Sequence, residues 1–451
     1  MTALREAPGL FLSHFARLDE KLGREGDAWL HNVRKDAIGR FAALGFPTTR
    51  LEEWKYTNVA AIARIPFQAA EFRWDGLTEE RLAELPLAHA AFSECCSRIV
   101  FVNGHYSPQL SSPDLPEGLI IGSMALAIKQ NTPRMKEHLA QHAGYQHQAF
   151  VALNTAFLED GAFIEIPRGV TVDAPIHILF VSTSDEPIAS HPRSLIVVGD
   201  DSQASIIEEY IALGERSCLT NAVTEIVAGE NSVLEYYKLQ AEEEEAFHVS
   251  TVQVSQGRSS AFTSHSISFG GALVRNDLNV ALNGDGAECT LNGLYLSAND
   301  QHVDNHTVID HIKPHCSSRE LYKGILDDQS SAVFNGSIIV RKDAQKTDAR
   351  QSNKNLLLSE GATINSKPQL EINADDVKCT HGTSIGHLDE DSIYYLRSRG
   401  VGLAEARRVL TYGFANDVLN RMKLDSVRVR LECALLARLS GGHATVQVEE
   451  P

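Results

Sequence analysis

The spacing of apolar side chains changes period twice along this chain. In the first sixty residues Phe11, Phe15, Leu18 and Leu22 recur at helical spacing, and Trp29, Val33, Ala37, Phe41 and Leu44 do so again. Side chains three and four apart share one face of a helix, so amphipathic helices are predicted here. Gly45-Phe46-Pro47 supplies the stop. The next segment, TTRLEEWKYTNV, mixes charge with Trp54 and Tyr56 and reads as a connector held by its aromatics. Residues 98–110 read as two short strands around Asn103-Gly104, a pair suited to a tight hairpin turn. A helical stretch is predicted from about Ser123 to Gln148.

From about Phe150 to Val377 helix signals vanish, and Val, Ile, Thr and Ser form short alternating runs. A turn followed by a strand recurs at Gly199, Gly229, Gly257 and Gly284, at intervals of 30, 28 and 27 residues. Looser copies start near Asp328 and Gly361. A degenerate repeat of that length marks a solenoid, and strand-rich units without helices mark a β-solenoid. A β-sandwich is the alternative, but its turns have no reason to keep one period. After Ile385 the helical period returns. Asp389 to Arg399 reads as a helix with an acidic first turn, stopped by Gly400. Leu403, Ala406, Leu410, Phe414 and Val418 form one apolar stripe, and Val427, Leu431, Leu435 and Leu439 another. The expected organisation is a helical N-terminal region with a hairpin (1–148), a β-helix core (149–385), a C-terminal helical domain (386–440) and a frayed tail (441–451).

Composition narrows the function classes. The chain has 451 residues, 43% of them hydrophobic, and a formal charge of −18. That charge argues against binding nucleic acid or an anionic membrane. No apolar run reaches the length of a membrane span, and the N-terminus lacks the charged and apolar regions of a secretory signal, so a cytoplasmic protein is expected. The seven cysteines (Cys95, Cys96, Cys218, Cys289, Cys316, Cys379 and Cys433) are scattered, without a C-x-x-C pair. They fit a reducing compartment better than a disulfide framework or a four-cysteine zinc site.

No phosphate-binding glycine loop, dinucleotide fingerprint, nucleophile elbow or H-E-x-x-H helix is present. Two groups of side chains remain. Cys379 and His381 stand two residues apart, so an extended strand would project both from one face. Both are soft ligands for iron, zinc or copper, and two ligands do not close a tetrahedral site. Gly382, Thr383, Ser384 and Gly386 beside them suggest close backbone approach. The second group, QHVDNHTVIDHIKPHC, holds His302, Asp304, His306, Asp310, His311, His315 and Cys316, with His302, Asp304 and His306 on one strand face. It reads either as a metal site or as polar groups bonding neighbouring rungs. A stand-alone metalloprotein using His302–His315 is one functional reading, and a polysaccharide lyase on a β-helix is another. The acidic run Glu242 to Glu245 reads as a solvated loop.

Several strings resemble one family. GFPTTRLEEWKYTNV, IVFVNGHYSPQLS and ALNTAFLEDGAFIEIPRGVTVDAPIHI lie in the first half. QHVDNHTVIDHIKPHCSSRELYKGILDDQSSAVFNGSIIV, KTDARQSNKNLLLS and KPQLEINADDVKCTHGTSIGHLDEDSIYYLRSRG lie in the second. Together they resemble the SufB/SufD family of iron–sulfur cluster assembly scaffolds, over about Gly45 to Met422. The Cys-Thr-His-Gly-Thr segment is the SufD-like form, with Gly382 where SufB-like chains carry glutamate. The resemblance implies a right-handed parallel β-helix between helical domains and a non-catalytic role. It implies pairing with SufB through the β-helix, or self-pairing when isolated, and docking of the ATPase SufC on the C-terminal helices, where Leu403, Leu410 and Phe414 are the candidate contacts. It also implies that His381, with Cys379 beside it, contributes to a transient iron–sulfur cluster shared with the partner. No permanently bound cofactor is expected, and no flavin is assigned to this chain.

Overall fold

The structure is a computed structural model that describes residues 2–22, 28–70, 77, 78, 82, 97–113, 118–130, 132–183, 185–214 and 217–440. Two parallel sheets form its body. The first runs through Ala162–Ile166, Arg193–Val198, Cys218–Ala228, Phe247–Gln256, Leu273–Leu282, His302–His311 and Ser331–Val340 to Thr363–Ile372. The second runs through Ser97–Val102, Ile176–Thr183, Gln203–Leu213, Val233–Ala241, Ala261–Phe269, Glu288–Ser297, Ser317–Leu326 and Asp348–Leu357 to Lys378–Gly386. Successive strands alternate between the sheets, so the chain winds as a parallel β-solenoid. A β-sandwich is excluded by this all-parallel ladder.

Register is held without slippage, for example Leu273↔His302↔Ser331↔Thr363. Alternation in a strand then stacks like on like, and the inward columns form one core that includes Ile206, Leu234, Phe262 and Leu291. The recurring glycines stack as a column at one corner. A Cβ on Gly284 would lie 2.1 Å from the Arg258 backbone nitrogen, and one on Gly229 2.7 Å from that of Asp200. Beside them Asp201, Asn231, Ser259, His315 and Lys346 take φ of 54 to 65°. Each turns its amide to a carbonyl of the next turn, as His315 does to Gln345 (2.9 Å).

The helices Thr2–Leu22 and Ala28–Leu44 pack with Ala149–Ala156 against the first sheet through Phe11, Phe41, Phe46, Phe150 and Phe157. The connector is pinned as its aromatics suggested, with Trp54 stacked on Phe150 and the Arg275 guanidinium 4.3 Å from its ring. The expected helix from Ser123 to Gln148 is shorter. Only Met124–Lys129 and Pro133–His138 are helical. Beyond them the amides of Ala140, His142 and Ala143 donate to the buried Glu225 carboxylate, which bonds the backbone in place of a continuing helix. Cys95, Cys96 and the tail 441–451 lie outside the described residues.

Helices Glu390–Ser398, Leu403–Leu419 and Asp425–Leu439 follow the solenoid. Asp389 caps the first by accepting from the Ser392 amide (2.9 Å), and Gly400 ends it at φ 89°. The other two lie on the outer face of the second sheet, where Val418, Leu419, Val427, Leu431 and Leu435 meet Tyr237, Phe269 and Leu294. The stripe read from Leu403 to Val418 is only half used for this packing. Thr411 and Ala415 join Ala406 and Val418 in the buried face, whereas Leu403 stays 48% exposed, with Leu410 and Phe414 half-buried. Among the described residues no helix is long and apolar enough to cross a membrane.

Candidate functional site

The two sheets end differently from the way they begin. At the start, strands and helices cover the core. At the far end, among the described residues, Thr363–Ile372 pairs only with Ser331–Val340, and Lys378–Gly386 only with Asp348–Leu357, so each leaves one edge free. Cys379, His381, Thr383 and Ile385 stand in register with Ala349, Gln351, Asn353 and Asn355. Those four are buried and alternate with the exposed Arg350 and Lys354, so this column faces the lumen. Cys379 and His381 therefore share the inward face of the last strand. His381 is exposed because no further turn covers it.

The two ligand candidates differ in environment. Cys379 is half-buried against Ile338, Val340 and Ala349, and burial pushes its thiol up, away from the thiolate that binds metal. Facing them, Ser366 bonds Thr383 (2.9 Å) and Asn353 (2.7 Å) and links the last two strands across the lumen. Ile372 and Ile385 are 42% and 50% exposed there. The close backbone approach expected at Gly382 and Gly386 does not occur within the chain, since a Cβ on either would meet nothing within 4 Å.

The His302–His315 group is dispersed rather than gathered. His302, Asp304 and His306 do share one outward face, but His302 and Asp304 are committed to the connector and the neighbouring rungs, and His306 pairs with Asp304. Thr57 donates to Asp304, and His302 lies 2.9 Å from Thr57 Oγ1 and 2.7 Å from Ser331 Oγ. Burial works against the Asp304 carboxylate, yet Arg275 and then His306 overcome it and hold it below the usual carboxylate range. Asp310 pairs with Arg341, His311 turns inward to Ser318, His315 occupies a corner, and the Cys316 thiol points to the Gly284 carbonyl. The rung-bonding reading describes this strand. Among the described residues no group of three or more His, Cys, Asp or Glu side chains is arranged to hold a metal.

The interior carries polar chemistry that the sequence reading missed. Glu242 is not part of a solvated loop as expected. It is buried, accepts from Thr220 (2.6 Å) and lies 2.8 Å from His248 Nδ1, while Glu243, Glu244 and Glu245 remain outside. Lys238 lies buried against His248 (2.9 Å) and Asn276 (2.7 Å), its ammonium pushed down to about 8 by desolvation. Nearer the open end Glu320 accepts from Gln351 (2.7 Å), and desolvation raises its carboxyl to about 7. Their signal was alternation. Lys238 shares its parity with Leu234 and Tyr236, and Glu320 with Tyr322 and Leu326, while Glu242 follows the end of its strand.

Such a molecule is a parallel β-solenoid with helices at both termini, and its unpaired end bears a cysteine and a histidine. Residues 180–414 match the core domain of SufBD proteins of the SUF system for FeS cluster assembly, and residues 9–178 match the SufBD N-terminal region. An iron–sulfur cluster assembly SufBD family protein of Synechocystis sp. is 35% identical over 91% of this chain and 92% of its own. The iron–sulfur cluster assembly protein SufD of Escherichia coli is 30% identical over 88% of this chain and 90% of its own, and that of Bacillus subtilis 26% identical over 90% and 92%. The chain belongs to the SufBD family of SUF-system iron–sulfur cluster assembly proteins, and its named relatives include SufD.

Proposed function

We propose that this chain is a non-catalytic, cytoplasmic scaffold subunit of the SUF assembly machinery. It pairs through the open end of its solenoid with SufB, presents His381 to a nascent iron–sulfur cluster at that seam, and carries the ATPase SufC on its C-terminal helices. The observation that carries the reading is the position of His381, an exposed imidazole on the lumen face of an unpaired edge strand. A ligand at a free edge is completed by whatever chain pairs there. An incomplete ligand set suits a cluster that is built and handed on, where a closed four-ligand cage would retain it. Cys379 is the lesser ligand, since its thiol sits against apolar neighbours. Co-expression with SufB and SufC, followed by anaerobic iron and sulfide loading, tests the assignment. His381→Ala is expected to lose most loading with the complex intact, and wild-type loading would refute it.

The docking half of the proposal rests on the unused part of the helix Leu403–Leu419. Leu403 and Val409 are exposed and Leu410 half-buried, whereas Phe414 lies beneath the Lys323 ammonium, 4.4 Å from its ring. Leu403→Glu with Leu410→Glu is expected to release SufC and spare SufB. Retention of SufC by that folded variant would move the docking site elsewhere.

A further inference from the structure

The inward column that ends on His381 has a definite chemical profile. Read down the second sheet from the open end, it runs His381, Gln351, Glu320, Leu291 and Ser264. Gln351 and Glu320 are 3% and 4% exposed, and Gln351 Nε2 donates to Glu320 Oε2 at 2.7 Å. Leu291 closes the column behind Glu320. The buried acid thus faces the Gln351 amide on the side of the open end and the Thr307 hydroxyl across the lumen, and both work against the rise that burial causes. Gln351 Oε1, beside the acid, is buried without a hydrogen-bond partner. Packing alone would be served better by an apolar side chain at position 320, because taking a carboxyl out of water is destabilising.

No neighbouring charge explains the acid. The titratable groups facing it are Cys289 and Tyr322 on its own sheet and His311, which bonds Ser318, on the other. Burial pushes the Cys289 thiol and the Tyr322 hydroxyl up and the His311 imidazole down to about 4, so all three are neutral near pH 7. Glu320 is held near neutrality by desolvation. It lies two strand spacings from His381, roughly 10 Å.

We propose that Glu320 is the charge-compensating residue of the seam, protonated while the seam is empty and ionised when a metal cation is bound at His381. The inference rests on the His381 reading. On loading, the Glu320 O–H bond breaks, its electron pair stays on the carboxylate, and the proton leaves to solvent past Gln351 at the open end. Unloading reverses the step. At roughly 10 Å through a protein of effective dielectric about 20, each unit of arriving charge shifts the acid constant roughly tenfold, enough to ionise an acid poised near pH 7.

Cobalt(II), which stands in for ferrous iron without oxidising in air, is the probe. Its binding to the complex of this chain with SufB is followed by titration calorimetry in two buffers of different ionisation heat, between about pH 6 and about pH 8. The wild-type complex is expected to release about half a proton more than Glu320→Gln at about pH 7, where half of the empty sites still carry it. Cobalt(II) brings two units of charge, so the variant should bind roughly a hundredfold more weakly at about pH 8 and roughly tenfold more weakly at about pH 6. Glu320→Asp, which restores an acid, should restore proton release. Equal proton counts and superimposable pH profiles for wild type and Glu320→Gln would overturn the inference. His381→Ala separates the two readings. If it loses cobalt while Glu320→Gln changes nothing, only the role of Glu320 falls, and if it binds cobalt as wild type does, the His381 assignment falls and this one with it.

Discussion

Glu320 and Asp304 are both buried acids, and their surroundings drive them in opposite directions. Asp304 has Arg275, His306 and the Thr57 hydroxyl around it and stays ionised. Glu320 has an amide on one side and leucine on the other, and desolvation raises it from 4.5 to about 7. Between those values the folded chain keeps a proton that the unfolded chain has released. Stability therefore falls as pH rises from about 4.5 to about 7 and is flat above, a loss of order 3 kcal/mol from this group. Glu320→Gln keeps the shape and removes the titration. It is expected to match wild type in acid and to exceed it by up to about 3 kcal/mol above neutrality, read from denaturant unfolding at a series of pH values. Parallel stability curves for the two chains would show that the carboxyl is already ionised in the folded state. A buried acid that makes the fold less stable above neutrality is not explained by packing, which is the argument for a link to His381.

At the level of strands and turns, the glycine column sets the spacing of the solenoid. Gly284 has backbone where a Cβ would go, while Gly382 has open space. Gly284→Ala is expected to lower stability by about 2–4 kcal/mol, since the clash is with backbone that cannot step aside. Gly382→Ala should change stability by about 0.5 kcal/mol or less. Thermal unfolding of the two variants checks both, and similar melting temperatures would deny the column its role. This column is also why the fold was legible in the sequence. Gly199, Gly229, Gly257 and Gly284 recur because each turn repeats one close approach, and a period survives even where side chains diverge. The polar interior was not legible, because both parities of its strands carry apolar residues, Leu234 beside Lys238 and Leu326 beside Glu320 inward and Leu239 and Ile325 outward, so the pattern does not say which faces in. The His302–His315 group misled for a related reason. Sequence proximity placed its side chains together, whereas the pleat and the corner at His315 send them to opposite faces. Cys379 and His381 were legible as a pair because strand alternation alone puts i and i+2 on one face. That the face is the lumen of an uncapped end needed the register with Gln351.

The whole molecule poses one further question, which of the two edges left free among the described residues the proposed pairing would use. In a parallel ladder each residue turns its N–H and C=O to the same side, and successive residues alternate. The Lys378 amide bonds the Thr347 carbonyl, so the amides of Cys379, His381, Thr383 and Ile385 point away from the body. The Thr363 amide bonds Ser330, so Ile364, Ser366, Pro368 and Leu370 face outward on the other sheet. Pro368 has no N–H, and its position there removes no internal bond while blunting that edge. The edge carrying His381 keeps its full set of donors. Placing a proline on it in the same phase reproduces the blunting. Thr383→Pro is expected to leave the monomer folded and to weaken SufB binding by at least tenfold. Ser384→Pro, one residue on, removes a bond to Asp348–Leu357 and is expected to lower stability by about 3 kcal/mol. Co-purification and thermal unfolding of the two variants separate pairing from folding. Wild-type SufB binding by Thr383→Pro would place the seam on some other surface and leave His381 at a free edge without a partner.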